Sequence, residues 1–161
     1  IAEYVGGSEE AFVNMMNRRA QELMANGTHF MNPHGLHDDN HYTTAYDLYL
    51  IFNECIKHED FVNIIQSEAY TAYYTDVDGN SQEVLFTPTN LYAQGEVDVP
   101  ENVTIVGGKT GTTDEAGYCL ILMEKDSSDN PYISIVMGAS EKPVLYEDMT
   151  SLIEAIPSGQ Q

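Results

Sequence analysis

Tryptophan is absent from the 161-residue sequence, cysteine occurs twice, and six basic residues stand against 26 acidic ones. The formal charge of −20 argues against nucleic acid as a partner, because phosphate binding needs clustered lysine and arginine. No apolar run is long enough to cross a bilayer as a helix. Cys55 and Cys119 each lie in an apolar stretch, which indicates small core residues rather than a disulfide. Hydrophobic residues make up 42% of the sequence, which is sufficient for the core of one domain.

Helical patterns occupy the first part of the chain. Ser8, followed by two glutamates, predicts the start of a helix that continues to a stop signal at Asn26-Gly27. The segment 28–40 has the composition of a loop. Thr44 with Asp47 resembles a capping box and opens a second helix, which is expected to end near Lys57-His58, before a short helix around 61–65.

Strand patterns follow the helices. The expected strands are 69–75, 83–86, 117–124 and 132–137, with polar turns between the members of each pair. A last helix is expected over 146–156, and residues 157–161 form a tail. Helices, then antiparallel strands, then one helix predict an α+β layered domain over residues 1–156, with no linker.

One segment carries chemistry that ordinary packing does not require. Residues 107–113 place a lysine and several hydroxyls among glycines, ahead of an apolar run. Lys-Thr-Gly at a strand edge suits a carboxylate, since it offers an ammonium, a hydroxyl and a position without a side chain. The same tripeptide belongs to the motif sets of penicillin-binding proteins and class A β-lactamases. The tripeptide alone is a weak signal, so its surroundings decide its weight.

The surroundings resemble a known family. The segment 108–118 is similar to the corresponding part of the low-molecular-mass penicillin-binding proteins, the serine-type D-Ala-D-Ala carboxypeptidases of peptidase family S11. Further landmarks occur in the family's order at 2–8, 32–36, 42–48, 89–91 and 136–138. The resemblance implies the transpeptidase-like fold shared with β-lactamases. The chain corresponds to its C-terminal portion, in which the N-terminal part of the sheet is missing.

The resemblance also implies a function and a site. The intact enzyme would trim the terminal D-Ala from peptidoglycan stem peptides through an acyl-serine intermediate, outside the cytoplasm, without a cofactor, and would bind β-lactams. Lys109 and Thr110 would bind the terminal carboxylate, Gly111 would let the substrate lie along the strand, and the Thr112 N–H would donate to the oxyanion hole.

The chain departs from the family in its catalytic groups. No serine has a lysine three residues later, so the Ser-x-x-Lys nucleophile and base are absent. Ser128-Asp129-Asn130 matches the family's Ser-x-Asn motif in letters, but it follows Lys-Thr-Gly instead of preceding it, which indicates a hairpin turn. The true Ser-x-Asn is expected upstream of Ile1. We therefore expect this chain alone to be inactive, and neither a signal nor a membrane anchor is evident in it.

Alternatives remain at this stage. A non-catalytic cell-wall or partner-binding module of the same fold would keep the groove around Lys109, and a class A-like β-lactamase fragment is a less favoured rival. His34, His37 and His41 lie close in sequence, and 76–80 resembles a calcium loop, but neither is expected to bind metal. An incomplete sheet would leave an unpaired edge, so a homodimer or strand exchange through that edge is expected.

Overall fold

The computed structural model describes residues 1–158 and confirms the α+β organisation. The helices are α1 (Ala2–Gly6), α2 (Glu9–Glu22), α3 (Ala45–Cys55), α4 (Glu59–Ile65), α5 (Leu91–Gln94) and α6 (Lys142–Glu154). The strands are β1 (Tyr70–Thr75), β2 (Ser81–Phe86), β3 (Val103–Thr113), β4 (Gly117–Asp126) and β5 (Pro131–Ala139). Of the expected tail, residues 159–161 lie outside the described part of the chain.

Side-chain caps fix the starts of α2 and α3, as the sequence predicts. The hydroxyl of Ser8 accepts from the Ala11 N–H at 3.1 Å, and that of Thr44 accepts from the Asp47 N–H at 3.1 Å. The prediction that Asp47 completes a capping box is wrong. Its carboxylate accepts from the Thr28 hydroxyl at 2.8 Å instead of from the Thr44 N–H.

Two helix boundaries differ most from the expected ones. Helix α2 ends at Glu22, where Met24 rather than a glycine adopts a positive φ of 62°, so the chain turns before Asn26-Gly27. Helix α6 begins at Lys142, four residues before the expected start at Tyr146. Pro143 lies in its first turn, where a missing N–H costs no helical hydrogen bond, so the Lys-Pro pair starts the helix instead of preceding it.

Strands β1 and β2 form an antiparallel hairpin that is separate from the main sheet. Its turn is held by Asp76, whose carboxylate accepts from the N–H groups of Asp78 and Asn80 and from the Gln82 side chain, with Gly79 at a φ of 85°. This confirms the turn interpretation of 76–80.

Strands β3, β4 and β5 form a three-stranded antiparallel sheet in that order, with β3 and β5 at its edges. Along β4, Leu120, Leu122 and Glu124 lie on one buried face, in the period-two pattern of a strand. Helix α6 covers this face, with Met149 and Ile153 fully buried against it. The core of the domain therefore lies between the sheet and α6.

The β4–β5 turn confirms the interpretation of Ser128-Asp129-Asn130. The Asp126 carboxylate accepts from the Ser128 N–H at 2.8 Å and from the N–H and side chain of Asn130. Cys55 and Cys119 are both free, but each is only half-buried, so the expectation of core positions holds in part. Among residues 1–158, no helix is long and apolar enough to cross a membrane.

Candidate functional site

Two glycines let β3 approach its neighbours closely. A Cβ at Gly107 would lie 2.2 Å from the Ile65 carbonyl oxygen at the end of α4, and a Cβ at Gly108 would lie 2.1 Å from the Ile121 carbonyl oxygen on β4. The strand carries a bulge between Ile105 and Gly107, just before these positions. Residues 107 and 108 are therefore glycines because backbone occupies the space that a side chain would need.

The Lys-Thr-Gly residues follow directly and face open space. Lys109 is exposed, and its ammonium donates to the carbonyl of Thr110. A Cβ at Gly111 would meet no atom of residues 1–158 within 4 Å, which leaves room for a ligand backbone to approach there. Thr112 is exposed and pairs with Tyr118 across the β3–β4 ladder. The structure thus places all four predicted site residues consecutively on one edge strand.

The hydroxyl of Thr110 has a partner from another part of the chain. Its Oγ1 lies 2.5 Å from the Oγ1 of Thr89, 21 residues earlier, and either oxygen could be the donor. Thr89 lies within the landmark at 89–91, where the sequence alone indicates no role for it. The contact depends on tertiary structure, so no local sequence signal identifies it.

The loop that carries Thr89 is fixed on both sides. The Gln94 side chain donates to the Pro88 carbonyl at 2.6 Å, and the Asn90 side chain caps α5 by accepting from the Tyr92 N–H at 3.1 Å. The N-terminus of α5 is further held by α6, because the Leu91 N–H donates to the Tyr146 hydroxyl at 2.9 Å. Thr89 is thereby positioned from the α6 side of the domain.

A mainly apolar cavity of about 750 Å³ opens beside these residues. Lys109 and Thr110 form part of its wall, and Ile64, Tyr70 and Phe86 contribute exposed apolar surface from α4 and the β1–β2 hairpin. An exposed ammonium next to such a cavity is suited to a ligand with one anionic end.

The other residues considered from the sequence lie elsewhere. Val103 pairs with Asp126, so the turn containing Ser128 lies beside the far end of β3, about 20 Å along the strand from Lys109. His34 lies 3.9 Å from a Glu9 carboxylate oxygen, and His37 lies 3.9 Å from one of Glu115. Within residues 1–158 the structure brings together no cluster of histidine, cysteine and carboxylate side chains suited to a metal ion.

Comparison with protein families gives a match over most of the chain. The family model described as D-alanyl-D-alanine carboxypeptidase matches residues 1–141. Among curated proteins, D-alanyl-D-alanine carboxypeptidase DacF of Bacillus subtilis is 32% identical over 156 residues, covering 96% of this chain and 37% of the relative. D-alanyl-D-alanine carboxypeptidase DacC of Escherichia coli is 28% identical, covering 95% of this chain and 35% of the relative. The chain thus spans little more than a third of the length of these relatives.

Solved structures give the same fold. The Streptomyces K15 DD-transpeptidase superposes with a TM-score of 0.79 at 25% identity, covering 90% of this chain and 53% of the other. The D-alanyl-D-alanine carboxypeptidase DacD of Francisella tularensis superposes with a TM-score of 0.77, covering 95% of this chain and 46% of the other. The second match, at 24% identity, supports the fold alone.

Proposed function

Because this chain belongs to the D-alanyl-D-alanine carboxypeptidase family, we propose that β3 binds the terminal carboxylate of a D-Ala-D-Ala peptide. The observation that carries the proposal is the arrangement of Lys109, Thr110 and Gly111. An exposed ammonium, a fixed hydroxyl and an unobstructed glycine lie consecutively on a strand edge beside a cavity. These are the groups that a carboxylate at the end of an extended peptide requires.

The proposed roles follow from the chemistry of each group. Lys109 neutralises the carboxylate, and the Thr110 hydroxyl donates a hydrogen bond to it. Gly111 leaves room for the peptide backbone to lie along β3. The Thr112 N–H stabilises negative charge that develops on the carbonyl oxygen during acyl transfer.

The whole protein is proposed to trim the terminal D-Ala from peptidoglycan stem peptides at the cell envelope, and to bind β-lactams at the same site. An acyl-serine intermediate requires a serine and a base, and the sequence contains no Ser-x-x-Lys. This polypeptide is therefore proposed to contribute carboxylate recognition and one oxyanion donor to the reaction. Taken alone, it is a binding module.

Peptide titration tests the proposal. The isotope-labelled chain is titrated with N-acetyl-D-Ala-D-Ala and, separately, with its C-terminal amide, and backbone amide shifts along β3 are followed by NMR. The acid should bind tighter than the amide, and Lys109→Met should weaken binding of the acid about tenfold or more, because a charge-assisted hydrogen bond is lost. Lys125→Met, on β4 near the β4–β5 turn, is the matched control and should change nothing.

Two results would contradict the proposal. Equal affinity for the acid and the amide would show that the carboxylate is not recognised. Equal weakening in both lysine variants would show that Lys109 has no specific role in binding.

A fluorescent penicillin tests the chemistry of the same chain. Denaturing electrophoresis should show no covalent label on this chain, whereas an intact relative run in parallel should be labelled. Covalent labelling of this chain would contradict the proposal that it lacks the acylated serine.

We also propose that this polypeptide associates through a free edge of the main sheet. Within residues 1–158, β5 pairs with β4 on one side only, and an unpaired edge offers N–H and C=O groups to another strand. Sedimentation velocity over a wide range of protein concentration should show reversible dimers. A monomer at every concentration would contradict this proposal and leave the peptide site unaffected.

A further inference from the structure

The hydrogen bond between Thr89 and Thr110 has a direction that the two oxygen positions alone do not fix. Each hydroxyl carries one proton and can accept through its lone pairs, so at 2.5 Å one donates and the other accepts. If Thr110 donates to Thr89, it has no proton left for a ligand. If Thr89 donates, the Thr110 O–H is free to point elsewhere.

A bound carboxylate decides between these two directions. An ionised carboxylate only accepts hydrogen bonds, so Thr110 can contact it favourably only as a donor. We propose that Thr89 is a positioning residue for carboxylate binding: its hydroxyl donates to Thr110 Oγ1 and leaves the Thr110 O–H directed at the ligand. The inference rests on the proposed function, which it deepens, because it assigns the orientation of the carboxylate-binding hydroxyl to a residue outside the Lys-Thr-Gly motif.

The surroundings of Thr89 support this role. The residues on either side of Thr89 are both held: the Pro88 carbonyl accepts from the Gln94 side chain, and the Asn90 side chain caps α5. The backbone of the loop therefore keeps the Thr89 hydroxyl beside Thr110. Two hydrogen bonds in series also polarise each other, which strengthens the one that reaches the anion. A second donor is thus brought to the site without direct contact with the ligand.

The selectivity that follows is for an acceptor-only ligand end. With Thr89 donating, the pair presents one outward O–H and suits a carboxylate oxygen. A terminal amide offers N–H donors as well and loses part of this advantage. Removal of the Thr89 hydroxyl should therefore weaken binding of the acid more than binding of the amide.

Three variants test the inference. Thr89→Val keeps the shape and removes the donor, and Thr89→Ser keeps the donor. Thr75→Val is a control at the exposed end of β1, outside the cavity wall, where the hydroxyl makes no hydrogen bond among residues 1–158. The probe is N-acetyl-D-Ala-D-Ala, compared with its C-terminal amide. Thr89→Val should weaken binding of the acid about fivefold, as expected for one hydrogen bond, with a smaller effect on the amide. Thr89→Ser and Thr75→Val should stay within about twofold of the unaltered chain.

A second readout requires no ligand. Side-chain coupling constants should show one χ1 rotamer for Thr110 in the unaltered chain and in Thr89→Ser, and averaging among rotamers in Thr89→Val. A single Thr110 rotamer in Thr89→Val overturns the inference whatever the peptide does. Equal weakening of the acid and the amide overturns it as well, because a merely structural role would produce that result. If the unaltered chain does not distinguish the acid from the amide, the proposed function fails, and the carboxylate role of Thr89 fails with it.

Discussion

The free energy of unfolding is expected to fall by about 3 kcal/mol between pH 4.5 and pH 7 through one carboxyl group, that of Glu124. Glu124 lies on the face of β4 that packs under α6 and has no solvent-accessible surface. Neither of its carboxylate oxygens has a hydrogen-bond partner within residues 1–158. A buried carboxyl without partners is more stable protonated than ionised.

Desolvation raises the pKa of Glu124 from its ordinary value of 4.5 to about 7, and the nearby Ser134 on β5 lowers it only in part. Because neither carboxylate oxygen accepts a hydrogen bond within residues 1–158, desolvation prevails over the influence of Ser134. Between the two pKa values the unfolded chain has lost this proton and the folded chain has kept it. Stability is therefore fully present below pH 4.5, falls as the pH rises, and levels off above pH 7.

Glu124→Gln removes the ionisation and should flatten this part of the profile. At pH 8 the variant should be more stable than the unaltered chain by about 3 kcal/mol, and at pH 4 the two should be similar. Urea unfolding followed by circular dichroism at a series of pH values measures the difference. Glu83→Gln, on the exposed strand β2, is the matched control and should run parallel to the unaltered chain.

The carboxyl group of Asp126 acts in the opposite direction to that of Glu124. The Asn130 side chain and the turn amides lower the pKa of Asp126, so its contribution is present above pH 3.8 and is lost as the pH falls further. The general repulsion of a chain with a formal charge of −20 is common to both glutamate variants and cancels in the comparison. Parallel profiles for Glu124→Gln and the unaltered chain would contradict the burial of this carboxyl.

The sequence predicts those parts of the fold that depend on neighbouring residues. Ser8 and Thr44 cap helices, and Asp76 and Asp126 hold turns, because in each case the interacting groups lie within a few residues. The burial of Glu124 could also have been found, since it follows Leu120 and Leu122 at a spacing of two. Glutamate is rarely fully buried, but the alternation of β4 places this one on the covered face.

The candidate site also contains residues that the sequence predicts and one that it does not. Lys109, Thr110 and Gly111 are identified by a short motif and by the family landmarks around it. Thr89 is brought to Thr110 by the packing of α5 on α6, which involves residues 55 positions apart, such as Leu91 and Tyr146. No local pattern encodes a contact of that range, so only the tertiary structure reveals it.

Gly108→Ala is expected to destabilise the domain by about 3 kcal/mol, because the added methyl group has no space. The new Cβ would lie 2.1 Å from the Ile121 carbonyl oxygen and 2.8 Å from a terminal carbon of Leu122. Leu122 is fully buried in the core, and the Ile121 carbonyl belongs to the backbone of β4. Relief therefore requires β3 to move away from β4, which breaks the ladder that carries Lys109.

Gly111→Ala provides the matched control three residues along the same strand. A Cβ there meets no atom of the described chain within 4 Å, so stability should change by about 0.5 kcal/mol or less, although the proposed peptide binding along β3 should weaken. Urea unfolding compares the two variants, and hydrogen exchange of the β3 amides shows whether the β3–β4 ladder opens.

Equal stability of both variants would mean that β3 does not lie as close to β4 as the structure places it. If Gly108→Ala loses stability while the β3 amides stay protected, the destabilisation arises in the core around Leu122 and not in the β3–β4 ladder. Because Gly108 directly precedes Lys109, the expected pattern would show that the spacing of β3 from β4 holds Lys109, the proposed carboxylate-binding residue, in place.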